Sequence, residues 1–463
     1  MKKFRGFFVC FLVIVCAFTL TGCFQGERGA TGSQGPKGDK GDKGDPGATI
    51  TLNSYQMVVD RWNSGDVDKD AYSDDFENYW LEILGLRGVC TECSENFALQ
   101  LDGICIQCAS NLAVRSAVDI RVIIRRGGKD YNQAGAGVIY QHFTNGNAYV
   151  ITNYHVISKA FDTFTGGKVT GAELVVARQG DVSVYLWGAD DMAIPATVIG
   201  GSEEHDIAVL SIKGTDSVAG GKTVKAILDN FPVRAVYPSS LMPIKANGQR
   251  EPVLGEQVIA VGNPLAQNMQ PSNGIVSVQS EIMEMSRLDG KRKSYPDGAV
   301  IMQDFRAIRT TAAVNPGNSG GGLFNAKAEL IGIIQARWFW TSEDDPVDNM
   351  AYAIPLDIAL RIADQVIARQ ESGKVILIQK CAYTFTADAR DLKVEYKNGH
   401  MSISETVYVR TSGTCAGNNF AKDTVIKNIK INEKVYPITR LYQVDDLMIE
   451  AYGATKVEFN VAV

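Results

Sequence analysis

The stretch Asn315-Pro316-Gly317-Asn318-Ser319-Gly320-Gly321-Gly322 sets a serine between glycines after a Pro-Gly turn. Gly and Asn alone are ordinary turn residues. A nucleophilic serine, however, needs such a setting. A tight turn can aim successive backbone N–H groups at one point, where the negative oxygen of a tetrahedral intermediate would form. Glycines also let a substrate carbonyl approach the backbone closely. The serine needs a base, and the base an orienting acid. The chain has four histidines: His142, His155, His205 and His400. His155 ends the β-rich run Ile151-Thr152-Asn153-Tyr154-His155-Val156, and Asp206 heads the apolar run Ile207-Ala208-Val209-Leu210. The expected roles are Ser319 as nucleophile, His155 as general base and then acid, and Asp206 as orienter of the imidazole. The N–H groups of Gly317, Asn318 and Ser319 are expected to receive the oxyanion. This chemistry needs no metal and no organic cofactor.

The order His, Asp, Ser is that of chymotrypsin-like enzymes, not of subtilisin or the α/β-hydrolases. Thr152-Asn153-Tyr154-His155-Val156, Asp206-Ile207-Ala208-Val209-Leu210 and Asn315 to Gly321 resemble the three signatures of the HtrA/DegP family of trypsin-like serine proteases. Gly262-Asn263-Pro264 and Ala351-Tyr352-Ala353-Ile354-Pro355 also match. The resemblance spans roughly 115–370. It implies a two-barrel chymotrypsin fold, endopeptidase activity on polypeptides, frequent assembly into trimers, and a capacity to be inactive at rest. Two positions depart from the family pattern: Gly322 stands where proline is usual, and Thr311 where aspartate is frequent. Trypsin carries an acid six positions before its serine, and Ala313 stands there in this chain. Lys or Arg preference is therefore not expected. A pocket walled by Ala313, Val314, Gln335 and Ala336 should take small or medium aliphatic side chains. Arg337-Trp338-Phe339-Trp340 either rims that pocket or simply packs.

Frequent short apolar runs must position these residues: Asp119–Ile124, Gly137–Tyr140, Ala148–Thr152, Val182–Trp187, Ile207–Ile212, Gln257–Val261, Gly274–Val278 and Leu330–Gln335. Short strands with Gly-rich turns suit Greek-key barrels. Leu356 to Gln370 carries Ile358, Ile362, Val366 and Ile367 on one face and reads as a closing helix. The fold class expected is mainly β. It comprises a two-barrel chymotrypsin-like domain at 115–370, a small cysteine-containing module at 49–114, and a β-rich domain at 371–463.

At 463 residues the chain has room for two or three domains. Its net charge of -6 argues against a general nucleic-acid binder. Lys2, Lys3 and Arg5 precede an apolar core from Phe7 to Leu20, an export signal expected to occupy 1–22. Leu20-Thr21-Gly22-Cys23 resembles a bacterial lipobox, which implies cleavage before Cys23, a lipid on its thiol, and a place at the bacterial cell membrane or surface. In the segment 23–48, glycine recurs at every third position from Gly26 to Gly47, the collagen period. Two prolines in this run leave open either a short triple helix, consistent with a homotrimer, or an extended tether. Asp74 to Leu86 places Phe76, Tyr79, Trp80, Ile83 and Leu84 on one helical face. Cys90, Cys93, Cys105 and Cys108 form two CxxC units that suit either a structural zinc or, as export favours, disulfides. Beyond Glu371, strands are expected at Leu392–Tyr396, Thr406–Val409, Val425–Ile431 and Val457–Val463. Cys381 and Cys415 could close a disulfide there. A non-enzymatic alternative also stands: a collagen-stalked adhesion or chaperone-like binding protein built on a protease scaffold.

Overall fold

The computed structural model describes 59–65, 104–126, 129–162, 173–174, 182–189, 191–231, 233–235, 252–265, 266–283, 305–337, 349–381, 383–397, 400–415 and 417–462, with isolated positions between 67 and 98. The signal, lipobox and glycine-repeat segments lie outside these residues, as does most of the helical face expected at 74–86. The chain divides into two units, Met1–Val67 and Asp68–Val463. In the first, 59–64 is helical.

In the second unit, twelve strands close into two six-stranded barrels. The first contains β1 (Ala117–Arg126), β2 (Lys129–His142), β3 (Ala148–Thr152), β4 (Val182–Leu186), β5 (Ile194–Ser202) and β6 (Ile207–Ile212). They run in the order β5-β4-β1-β2-β3-β6, and β6 closes on β5 with Val198 opposite Leu210. The second contains β7 (Gln257–Gly262), β8 (Gln270–Met283), β9 (Phe305–Thr310), β10 (Gly322–Asn325), β11 (Leu330–Arg337) and β12 (Ala351–Pro355), in the closed order β7-β8-β9-β12-β11-β10. The patterns explain the elements. Strand β4 alternates buried and half-buried residues, while β6 is buried along its whole length. Alternation marks a strand with one face to the core, and a continuous apolar run marks one covered on both faces.

Each barrel has its own interior. Val118, Ile120, Val150, Val184 and Leu210 fill the first, and Val258, Val276, Ile308, Leu323 and Ile331 the second. A third cluster joins them, built from Ile259, Phe324 and Leu330 with two helices, α1 (Ile106–Val114) and a later one that ends the second barrel. Burying each such aliphatic side chain contributes about 1.5–3 kcal/mol. Two further helices, α2 (Tyr154–Asp162) and α3 (Val224–Asn230), decorate the first barrel, and α4 (Leu356–Ala368) follows β12. The packing around the barrels reaches beyond 115–370 at both ends. Ala109 and Ala113 of α1 are fully buried in the shared core. Strand β13 (Val375–Leu377) extends the first barrel's sheet by pairing with β5, Ile376 opposite Gly200.

The C-terminal region is β-rich as expected. Strands β14 (Thr386–Lys397), β15 (His400–Thr411), β18 (Val425–Ile431), β19 (Lys434–Pro437) and β20 (Val457–Ala462) make one sheet, with a small hairpin of β16 (Gly413–Cys415) and β17 (Asn418–Phe420). One element was not expected: helix α5 (Tyr442–Glu450). It inserts Val444, Leu447 and Met448 into the core of this region beside Phe385 and Phe420.

Candidate active site

The three elements expected to carry chemistry meet where the barrels face one another. His155 lies in the first turn of α2, immediately after β3. Asp206 precedes β6 and holds a left-handed backbone with φ 53°. That conformation is uncommon for a residue with a side chain, and hydrogen bonds surround it. Asn153 Nδ2 donates to the Asp206 carbonyl at 2.9 Å, and the His155 backbone N–H donates to Asp206 Oδ1 at 2.8 Å. The second carboxylate oxygen, Oδ2, lies 2.7 Å from His155 Nδ1. With a proton on Nδ1 shared toward Asp206, Nε2 is left as the basic nitrogen. Gln133 Nε2 and Ser158 Oγ both donate to the His155 carbonyl, fixing the start of α2.

Ser319 sits on the turn that enters β10. Two glycines shape that turn. Gly317 has φ 103°, and a Cβ there would lie 2.1 Å from the Asn263 carbonyl oxygen. Gly320 has φ 87°, and a Cβ would lie 2.2 Å from both Ala136 O and Thr152 Oγ1. Both places admit only glycine, on conformation and on space. The Gly262-Asn263-Pro264 turn holds the same loop from the other side. Leu265 N–H donates to Pro316 O at 2.7 Å, and Asn263 N–H to Gly317 O at 3.4 Å. From the first barrel, Ala136 N–H donates to Ser319 O at 2.8 Å.

The backbone donors can now be assigned. Asn318 N–H closes the turn on Asn315 O at 3.0 Å. Among the described residues, the N–H groups of Gly317 and Ser319 make no hydrogen bond. The three donors expected at Gly317, Asn318 and Ser319 therefore narrow to two, because the turn itself consumes the middle one.

Gln335 is misplaced in the sequence reading. It was expected to wall a pocket. Instead it is 2% exposed, and its Nε2 donates to Asp206 Oδ2 at 3.1 Å. Its backbone carbonyl accepts from Ser319 Oγ at 3.0 Å. Val314 is likewise corrected: it packs in the interior of the second barrel with Val258, Val276 and Leu323. Ala313 is exposed, and its carbonyl accepts from Ser272 Oγ at 2.7 Å. Ala336 stands opposite Tyr352 across β11 and β12, while its side chain and 338–340 lie outside the described residues.

Electrostatics at the triad suit a base. Burial acts to lower the His155 pKa, but the charge and hydrogen bond of Asp206 outweigh it and raise the pKa above the ordinary histidine value. The neighbouring His205 behaves oppositely. It is buried with Nδ1 2.9 Å from Ser202 Oγ, and burial with the nearby Lys380 charge pushes its pKa down to about 3. His205 is thus a neutral packing residue, and of the two it is His155 whose pKa is raised.

The cysteines fall into two places. Sγ atoms of Cys93, Cys105 and Cys108 lie within 4.8 Å of one another, while Cys90 and the lipobox Cys23 lie outside the described residues. Cys381 and Cys415, expected to close a disulfide, are free thiols. They adjoin, and burial followed by the proximity of Cys381 pushes the Cys415 thiol up to about 12. Held protonated in this way, Cys415 also donates to Met448 Sδ at 3.7 Å.

The stretch that carries these residues is similar to known proteins. Residues 135–333 match the trypsin-like peptidase domain family. The chain is 31% identical over 252 residues to the serine protease Do-like HtrA of Lactococcus lactis subsp. cremoris, covering 54% of this chain and 47% of that protein. It is 28% identical over 242 residues to the serine endoprotease DegS of Escherichia coli K12, covering 52% and 50%. The serine protease PepD of Mycobacterium tuberculosis is 30% identical over 195 residues, covering 41% and 35%. The chain spans about half the length of the curated relatives it matches.

Proposed function

The centre of this chain is an HtrA-like, trypsin-like serine endopeptidase domain, and from that premise we propose that the protein cleaves misfolded or exposed polypeptide segments outside the cytoplasm. The observation that carries the mechanism is the 2.7 Å contact of His155 Nδ1 with Asp206 Oδ2, beside a serine turn with two uncommitted N–H groups. Ser319 Oγ attacks the scissile carbonyl while His155 Nε2 takes its proton. Asp206 holds the ring in the tautomer that leaves Nε2 basic and stabilises the imidazolium that follows. The N–H groups of Gly317 and Ser319 receive the oxyanion, a contribution of about 3–4 kcal/mol per donor in comparable sites. His155 then protonates the leaving amine, and water repeats the sequence to release the acyl group.

The hydroxyl of Ser319 donates to Gln335 O and must give up that hydrogen bond to pass its proton to His155. This supports a protease that is quiet until substrate or an activating peptide arrives. The absence of an acid at Ala313 argues against cleavage after Lys or Arg. The lipobox and glycine repeat support a lipid-anchored surface protein, assembled as a homotrimer on a stalk or tether whose 22 residues reach roughly 70 Å when extended. The test is casein digestion by wild type and Ser319→Ala, each with and without a hydrophobic C-terminal peptide. Digestion by wild type alone supports the reading. Equal digestion by both proteins would defeat it, and no digestion by either would favour the binding-protein alternative. Sedimentation-equilibrium mass of the chain from Phe24 tests the trimer, and detergent-phase partitioning of Cys23→Ser tests the anchor.

A further inference from the structure

We propose that Cys93, Cys105 and Cys108 bind a zinc ion that clips the segment preceding α1 to that helix. The first ground is convergence. The three Sγ atoms lie within 4.8 Å of one another, and those of Cys93 and Cys105 are 4.0 Å apart. Sulfurs around a tetrahedral zinc with Zn–S of ~2.3 Å stand roughly 3.8 Å apart. A disulfide would join two sulfurs at ~2.05 Å and gives no reason for a third to gather at the same point.

The second ground is the way α1 begins. Cys105 is the N-cap of α1, and its Sγ accepts the Cys108 backbone N–H at 3.4 Å. The two-residue spacing of Cys105 and Cys108 lets one helical turn present both sulfurs to one ion. Cys90 lies outside the described residues, and the three described thiols define the site.

Binding would convert three thiols to thiolates and release their protons to solvent, with no change of oxidation state. The consequence is structural. Helix α1 is anchored by Ala109, Ala113 and Val114 in the core shared by the two barrels. An ion on its first turn would therefore tie the segment around Cys93 to the protease body, away from the triad chemistry.

The full chain, purified without chelator, should carry about one zinc by inductively coupled plasma mass spectrometry. Cys105→Ser and Cys108→Ser should each lose most of it, while Cys381→Ser keeps it. Should the serine variants fail to fold, cobalt(II) exchange into wild type decides the matter: a sulfur-to-metal charge-transfer band is expected. Non-reducing peptide mapping that finds these cysteines in disulfides, or wild type without zinc and without the cobalt band, would overturn the proposal. Zinc retained in folded Cys105→Ser and Cys108→Ser would overturn it as well.

Discussion

Ser319 Oγ donates to the backbone carbonyl of Gln335 at 3.0 Å, and Gln335 Nε2 donates to Asp206 Oδ2 at 3.1 Å. One residue thereby restrains the nucleophile through its main chain and steadies the orienting acid through its side chain. The two functions separate on mutation. Gln335→Ala keeps the carbonyl but removes the amide donor to a carboxylate, an interaction worth about 1.5–3 kcal/mol. The expected outcome is a fall in kcat of roughly 10–100-fold with KM little changed. Steady-state kinetics on a peptide substrate check it. If Gln335 instead lined the substrate pocket, KM and side-chain preference would change while kcat held.

Proton uptake by His155 should set the acid limb of activity. Burial lowers its pKa, and the Asp206 charge and hydrogen bond more than offset this, leaving it above the ordinary value near 6.5. Because the base must be neutral, kcat/KM should rise with pH and level off only above that value. Asp206→Asn removes the raising influence, so any residual activity should show its limb at lower pH. The same substitution should reduce kcat about 10⁴-fold, through loss of the productive tautomer. A limb unmoved in Asp206→Asn would assign the titration to another group.

The triad was legible because each member sits at the edge of a strand whose pattern the sequence displays. Ala148–Thr152 and Ile207–Ile212 are the strands before His155 and after Asp206, with the bounds that the apolar runs suggest. Gln335 was not legible. It lies in Leu330–Arg337, a near-continuous apolar strand with register shifts on both sides, between Leu323 and Phe324 opposite and between Ile334 and Ala336. Period-two reasoning cannot assign faces across such bulges. Val314 was misassigned for a related reason, since its distance from the serine along the chain does not say that the barrel interior claims it. Helix α5 escaped because Tyr442–Glu450 carries two adjacent aspartates and is recognised as core only by what packs on it. The spent N–H of Asn318 follows from the turn's own hydrogen bond, which composition does not reveal.

Gly322 departs from the proline usual in the family for a packing reason. A Cβ at that position would lie 2.4 and 2.5 Å from two ring carbons of Phe324, which is fully buried in the core shared by the barrels. Gly322→Ala should therefore destabilise by about 1–3 kcal/mol through overpacking. In Phe324→Leu, whose shorter side chain vacates that space, the same change should cost much less. A double-mutant cycle by denaturant unfolding measures the coupling. Strict additivity would mean that the ring moves aside freely and that the glycine has another cause.

The last prediction concerns the junction of the second barrel with the C-terminal region. Arg306 of β9, 3% exposed, bonds Asp357 of α4 and pairs with Asp446 of α5 at 2.7 Å, with the Tyr442 ring 4.9 Å from its guanidinium. Removing the cation would leave two buried carboxylates with only the lesser pull of Arg361, so Arg306→Leu should cost about 3–5 kcal/mol. The pH dependence has a definite sign. Burial pushes the Asp446 carboxyl up to about 7, against the opposing pull of Arg306. A carboxyl raised in the folded state binds a proton that the unfolded chain, at ~3.9, does not. Over that window stability rises as pH falls. Loss of Arg306 raises the Asp446 pKa further, so the penalty in Arg306→Leu should be largest at pH 8 and smaller at pH 5.5. Asp446→Asn added to Arg306→Leu should recover part of the loss at pH 8 and little at pH 5.5. Denaturant midpoints of the single and double variants at the two pH values check this. Equal penalties at both would show that Asp446 stays ionised throughout and that Arg306 acts by packing against Tyr442.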